Sequence, residues 1–173
     1  MGKEVEENKA DIEWSILSAF PQDHFEEMIS KCLHFTDTVF EGLDVSVEIR
    51  SIARQHLGET VLLWDDGKIV GIALCHCGPG TEAGSGNCYI KFGAAFPGSS
   101  AEKYFSDLIS ACEKLSREKS LGKIVAGVNT ARQEAYAQLL KKNFRVNRYG
   151  IAMQRPSDAG YNRPGFYIID DWR

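Results

Sequence analysis

Residues 93–109 read GAAFPGSSAEKYFSDLI. An apolar run ends at Pro97-Gly98, serines follow, and apolar residues then recur at helical spacing. A strand that turns sharply into a helix is a common place to hold a phosphate, because the first helical N–H groups have no internal partner. Turns of that kind usually carry glycines, whereas this one carries serines and a glutamate. Ser99 with Glu102 also has the spacing of a capping box. The stretch therefore reads either as an anion site or as a well-capped helix start.

Working outward, Asn87–Phe96 (NCYIKFGAAF) is a strand leading into the turn, and a helix leaves it with Phe105, Leu108, Ile109, Cys112 and Leu115 on one face. Lys119 and Gly122 close that helix, and Lys123–Val128 (KIVAGV) reads as a buried strand. Strand, helix and strand over 87–128 predict a right-handed crossover with parallel strands. Upstream, Thr60–Trp64 and Lys68–Cys77 flank Asp66-Gly67, the strongest short-range hairpin signal. Glu13–Phe20 is read as a first strand. Helices are predicted at about 21–35 and 45–57, with Gly58 as a stop. Downstream, Thr130 with Gln133 suggests a second capping box before a helix carrying Ala135, Leu139 and Leu140. Phe144–Met153 and the tail's FYII read as the last strands. The expected fold class is α/β: a mixed, mostly antiparallel sheet with helices on both faces. Residues 1–11 are expected to form a flexible polar tail, and 12–173 a single domain.

Hydrophobic residues make up 43% of the 173 and charged residues 25%, which suits a packed core. A formal charge of -4 leaves no basic footprint for nucleic acid. The longest apolar run, IVGIALC, is far short of the roughly 20 residues of a membrane span. Five cysteines without framework spacing, and an acidic N-terminus unlike a signal peptide, lead to the expectation of a cytoplasmic protein.

The order of elements, together with particular residues, resembles the GNAT superfamily of N-acyltransferases. The residues that carry the resemblance are Asp66 to Gly71 (DGKIVG), Ala94 to Pro97 (AAFP), Val128-Asn129, and then Ala135, Leu139-Leu140 and Asn143-Phe144. It covers roughly 59–153 and, loosely, the first helices. It implies a GNAT-like sheet with a central splayed pair of parallel strands, 87–96 and 123–128. Acetyl-CoA would enter that opening as cosubstrate. Its pantetheine arm would pair with backbone around Ala94, Ala95 and Phe96. Its pyrophosphate would rest on Gly98, Ser99, Ser100, Ala101 and Lys103, with Asn129 and Arg132 completing the set. The acetyl group would pass directly to an amine of a small molecule or protein. A base would take the amine proton, and an acid, often a tyrosine, would protonate the thiolate. In this sequence the family's phosphate-loop positions fall on Ser100, Lys103 and Phe105, and the usual tyrosine position on Leu139, with Tyr136 one turn earlier.

Candidate catalytic groups are Tyr136 as acid and His76 or Glu59 as base, with Tyr89 a weaker candidate. Cys75, Cys77 and Cys88 lie near one sheet edge, but C-x-C is not a zinc-knuckle spacing and no further ligand is evident, so no metal is expected. The tail YNRPGFYIIDDWR has three readings: a cover over the acceptor site, an element exchanged in a homodimer, or a strand docked on its own sheet. The leading expectation is an N-acetyltransferase. The alternative is a GNAT-fold module without catalysis that binds CoA, a small ligand or a protein partner.

Overall fold

The two sequence runs around Asp66-Gly67 form the hairpin that organises the molecule. Asp66 (φ 47°) and Gly67 (φ 71°) both occupy the left-handed region, the geometry of a type I′ turn that matches strand twist. The structure, a computed structural model, describes residues 1–4, 12–151, 153, 160 and 162–171. In chain order the strands are β1 (Gly2–Glu4), β2 (Glu13–Ile16), β3 (Gly58–Asp65), β4 (Lys68–Cys77), β5 (Asn87–Ala95), β6 (Lys123–Ala126) and β7 (Ile168–Asp170). The helices are α1 (Phe25–Val39), α2 (Ser46–Gln55), α3 (Ala101–Glu118) and α4 (Gln133–Lys141). Short 3₁₀ turns at Leu17–Ala19 and Gln22–His24 lead into α1.

The sheet runs β1-β6-β5-β4-β3-β2, and β7 pairs with β5. Among the described residues every pairing is antiparallel except β5 with β6. The expected class, a mixed and mostly antiparallel sheet with one parallel pair and helices on both faces, is what the chain adopts. Period-2 alternation divides the core. Leu62, Ile72, Leu74 and Phe92 pack against α1 and α2, while Val61, Ala73, Cys75 and Ile90 pack against α3 and α4. The α3 residues expected on one face, Phe105, Leu108, Ile109, Cys112 and Leu115, are all buried.

Several local readings are corrected. The segment expected to fray yields β1, because the edge of β6 is open to a partner: Met1 N donates to Ala126 O, and Gly2 pairs with Val125. Residues 5–11 lie outside the described residues. Lys3 Nζ then reaches Glu113 of α3 at 2.8 Å, and both side chains are buried. Among the described residues, the strand expected at 144–153 is reduced to one bridge, Gly2 with Arg145. The left-handed residue ending α2 is His56 (φ 53°), not Gly58, which already belongs to β3. Neither capping box forms. Ser100 and Arg132 are the N-cap residues of α3 and α4, and neither helix has a side-chain cap. Glu102 accepts instead from Gln138 Nε2 on α4 and from Lys141 Nζ at 3.4 Å. Asn129 Oδ1 accepts from Ala131 N at 2.9 Å, an Asx turn ahead of α4. Among the described residues no helix is long and apolar enough to cross a membrane.

Candidate functional site

The parallel pair β5–β6 starts at Asn87 opposite Lys123 and ends at Ile90 opposite Ala126. Beyond that point the strands part and β5 runs on to Ala95. The parting of the parallel strands expected from the sequence is therefore present, but the chain's own β7 lies in it along β5. Phe92, Gly93 and Ala94 pair with Asp170, Ile169 and Ile168 of β7. Ala95 N donates to Tyr167 O at 3.2 Å, and Asp171 N to Lys91 O at 2.9 Å. Ala94 turns its backbone the other way, toward Ile72 of β4, as the neighbouring Phe96 N to Val70 O bond (2.8 Å) requires by alternation. The expectation that Ala94, Ala95 and Phe96 present unpaired backbone is corrected: the chain's own C-terminal strand satisfies that edge. Of the three readings of the tail, the structure shows docking on its own sheet.

Other contacts hold the strand there. Arg132 Nη2 pairs with Asp170 Oδ2 at 3.1 Å, and Arg132 Nε donates to Asn162 Oδ1 at 2.6 Å. Tyr89 OH donates to the Asp171 carbonyl at 2.9 Å. The Asp171 carboxylate packs against the Cα of Gly127, so tightly that a Cβ there would overlap it. Arg132, expected on the cofactor, is engaged by the tail, and Asn129 is engaged in its own turn.

Where the strands part, Phe96, Gly98, Ser99 and Ser100 are exposed, Pro97 is half-buried and Ala101 is buried beneath them. Gly98 (φ 132°) makes the turn with nothing close to its Cα side. With no side-chain cap, the positive end of α3 faces this turn, and such an end favours an anion by roughly 0.3–1 kcal/mol when exposed. Glu102 is drawn off to α4. Lys103, expected on a pyrophosphate, is drawn down the helix to Asp107 Oδ2 at 2.8 Å.

Below the point where the strands part, the α1/α2 side of the sheet is polar and buried. Tyr89 lies opposite His76 of β4 and Val125 of β6. Lys91 is the extra residue of a β-bulge, since Leu74 pairs with Phe92 and Cys75 with Ile90. The bulge lets the Lys91 ammonium turn toward α2, where it meets Glu82 Oε1 at 2.6 Å and Glu48 Oε1 at 3.4 Å. Burial alone would lower the Lys91 pKa, but these carboxylates together hold it above its ordinary value. His76 is 5% exposed, its ring meets Tyr89 edge-on at 6.4 Å, and its Nδ1 has no hydrogen-bond partner. Burial lowers its pKa, and Lys91 adds to that against Glu82 and Glu48. The imidazole is therefore neutral near pH 7 and able to accept a proton.

Glu59 stands elsewhere. It accepts from Ser18 Oγ at 2.8 Å and Lys119 Nζ at 3.1 Å, on the wall of a cavity of about 560 Å³ that Phe20, Phe25, Ile52 and His56 also line. In register it matches Cys75 and Ile90. That places it about 17 Å along the strands from Ala95 at roughly 3.3 Å per residue. Alternation puts it on the α3 side of the sheet, opposite His76. Tyr136 is half-buried on α4, whose Ala135 and Leu139 join the α3-side core, so it too lies across the sheet from His76. The structure thus brings His76 together with Tyr89 and Lys91, and not with Glu59 or Tyr136. A lysine amid the apolar run YIKFG was the available signal for this cluster.

All five cysteines are free thiols. Cys75 Sγ lies 3.8 Å from Cys112 Sγ, and that contact and burial push the Cys75 thiol well up. Burial pushes Cys32 up to about 12. Among the described residues no group of His, Cys, Asp and Glu is arranged to hold a metal. At pH 8 an aromatic disulfide reagent is expected to react slowly with the native protein and rapidly with all the thiols in denaturant, because only thiolate attacks. Fast native reaction at Cys32 or Cys75 would contradict this burial.

No protein-family model matches the chain, and no curated protein matches it. A solved structure does share its fold: TTHA1254 from Thermus thermophilus, in a single-substitution variant. It superposes with a TM-score of 0.58 at 15% sequence identity, over 85% of this chain and 99% of that one. At that identity the likeness is one of fold.

Proposed function

We propose that the protein is an acyl-CoA-dependent N-acetyltransferase of GNAT-like architecture, acting on an amine of a small molecule or a protein. One observation carries the reading: the parallel pair parts after Ile90 and Ala126, and the uncapped end of α3 stands at the head of the opening. An acyl donor lying there would place its diphosphate at the Gly98–Ser100 turn and its thioester near Tyr89. His76, neutral and with a free Nδ1, is the base that takes the amine proton. Tyr89 replaces Tyr136 as the acid, since it stands beside His76. Five free thiols suit a reducing cytoplasm.

Acetyl-CoA at 100 times its Kd should stabilise the fold by roughly 2.7 kcal/mol. No thermal shift at millimolar acetyl-CoA would remove the reading. His76→Gln should lower the rate about 10²–10⁴-fold, the usual worth of a positioned base. The pH profile has a definite sign. Because burial depresses the His76 pKa, the acid limb of kcat/KM should fall below the ordinary histidine value of about 6.5. Stability should likewise decline as pH drops below about 6.5, where the unfolded chain takes up the proton first. An acid limb unchanged in His76→Gln would rule this base out.

A second reading, a binding module without catalysis, is favoured by β7, which closes the strand edge that a pantetheine arm would use. Binding of CoA without thiol release across a panel of amines would select it.

A further inference from the structure

We propose that the cavity of about 560 Å³ that holds Glu59 binds a free α-amino acid with an apolar side chain, its ammonium on Glu59 and its carboxylate on Lys119. The site is separate from the acyl-donor place, and the proposal does not depend on the acyltransferase reading. It lies at the end of the sheet where β5 begins, for Cys77, opposite Cys88, is on its wall. The Gly98–Ser100 turn follows the other end of β5. The volume falls in the range of small-molecule sites, roughly 300–1,000 Å³. Its lining is apolar and buried at Leu17 and Ile52, and the half-buried rings of Phe20 and Phe25 join them. Trp64 backs Phe20 at 6.2 Å between ring centres, and its own Nε1 donates to Ser15 Oγ at 2.8 Å. These rings make a braced slot for an aliphatic or aromatic side chain.

The charges choose the rest of the ligand. Among the described residues that line the cavity, Glu59 is the one carboxylate and Lys119 the one ammonium, 3.1 Å apart. The Glu59 side chain is 13% exposed and that of Lys119 36%, so the pair is partly shielded from water yet still reachable. Ser18, from the 3₁₀ turn after β2, donates to Glu59 Oε2, and Lys119, at the end of α3, donates to Oε1. A carboxylate held from both sides is already oriented, so little freedom is lost on binding. Both groups keep capacity, because an ammonium has further donors and a carboxylate further lone pairs. A ligand with a single charge would meet its like on one of the two at close range. A zwitterion laid antiparallel to the pair meets an opposite charge at each end and leaves the Glu59–Lys119 bond intact. Charge and side-chain space together describe an amino acid such as phenylalanine or leucine. A peptide terminus would bring only one of the two charges.

Calorimetry on the full-length protein at neutral pH tests this with L-phenylalanine, its amide (no carboxylate), its N-acetyl form (no ammonium) and glycine (no side chain). L-Phenylalanine should bind about tenfold more tightly than the amide or the N-acetyl form, the worth of one charge-assisted hydrogen bond. Glycine should bind more weakly than L-phenylalanine. Lys119→Met should erase the preference over the amide, and Glu59→Gln the preference over the N-acetyl form. Lys119 is exposed, so its variant should fold even if Glu59→Gln does not. Equal binding of L-phenylalanine and its amide would overturn the proposal, as would binding that survives in Lys119→Met with its preference unchanged. No binding of L-phenylalanine at millimolar concentration overturns it too. Each of these failures leaves the acyltransferase reading standing, because His76, Tyr89 and the Gly98–Ser100 turn do not line the cavity.

Discussion

Ending the chain after Gly165 is expected to abolish the cooperative fold. The lost segment is short, but Ile168 and Ile169 are fully buried and Tyr167 is 9% exposed, with its ring 5.5 Å from that of Phe105. Burying a large apolar side chain contributes about 1.5–3 kcal/mol, so these three together contribute up to about 5–9 kcal/mol. A domain's whole stability is about 5–15 kcal/mol. The truncation would also strip the β5 backbone of its partners at Lys91, Gly93 and Ala95 and leave Arg132 without Asp170. Circular dichroism through a urea titration reads the result. A truncated chain whose transition lies within about 1 kcal/mol of the parent would show that β7 is a loosely held end. Ile169→Ala is the milder form, expected to cost about 2–5 kcal/mol as the surrounding core fails to close.

Lys3→Ala should cost about 3–5 kcal/mol, an effect that a residue near a chain terminus would not ordinarily show. The Glu113 carboxylate is entirely buried in α3, and the Lys3 ammonium lies 2.8 Å from it and 5.8 Å from the centre of the Phe144 ring. Removing the lysine leaves a charge in a medium that cannot solvate it. Glu113→Leu alone removes the carboxylate 2.8 Å from the ammonium and should also destabilise the fold. Replacing both, Lys3→Met with Glu113→Leu, should recover most of the loss, because an apolar pair of similar volume needs no desolvation. The check is a double-mutant cycle in urea, where the coupling should exceed about 1 kcal/mol. Additive single effects would mean that the ammonium and carboxylate do not depend on one another.

These expectations locate what was legible in the sequence. The Asp66-Gly67 hairpin, the buried face of α3 and the parallel crossover from β5 to β6 were readable because each rests on signals within a few residues: turn chemistry, helical spacing, strand length. The polar start of the chain, by contrast, looked like a loose end. What makes Gly2–Glu4 a strand is the open edge of β6, more than a hundred positions away, together with a carboxylate buried in another helix. The capping boxes failed for a related reason. Ser99–Glu102 has the correct spacing, but Gln138 and Lys141 of α4 compete for the glutamate, and no local pattern shows that competition.

The candidate site divides in the same way. His76 was visible as a titratable group on a strand, and Glu59 and Tyr136 were visible on equal terms. Only the register of β3, β4 and β5 and the sides taken by the helices separate them, placing Tyr89 and Lys91 beside His76 and the other two across the sheet. FYII was recognisable as a strand from its residues, but its partner was not, since strand pairing at a separation of about 75 residues is decided by which backbone edge remains open. Local residue patterns were enough for the elements, the fold class and a turn at the head of a helix. That the wall beside that turn is closed by the chain's own end emerges only on folding, because β5 outruns β6 by five residues and a buried edge must find a partner.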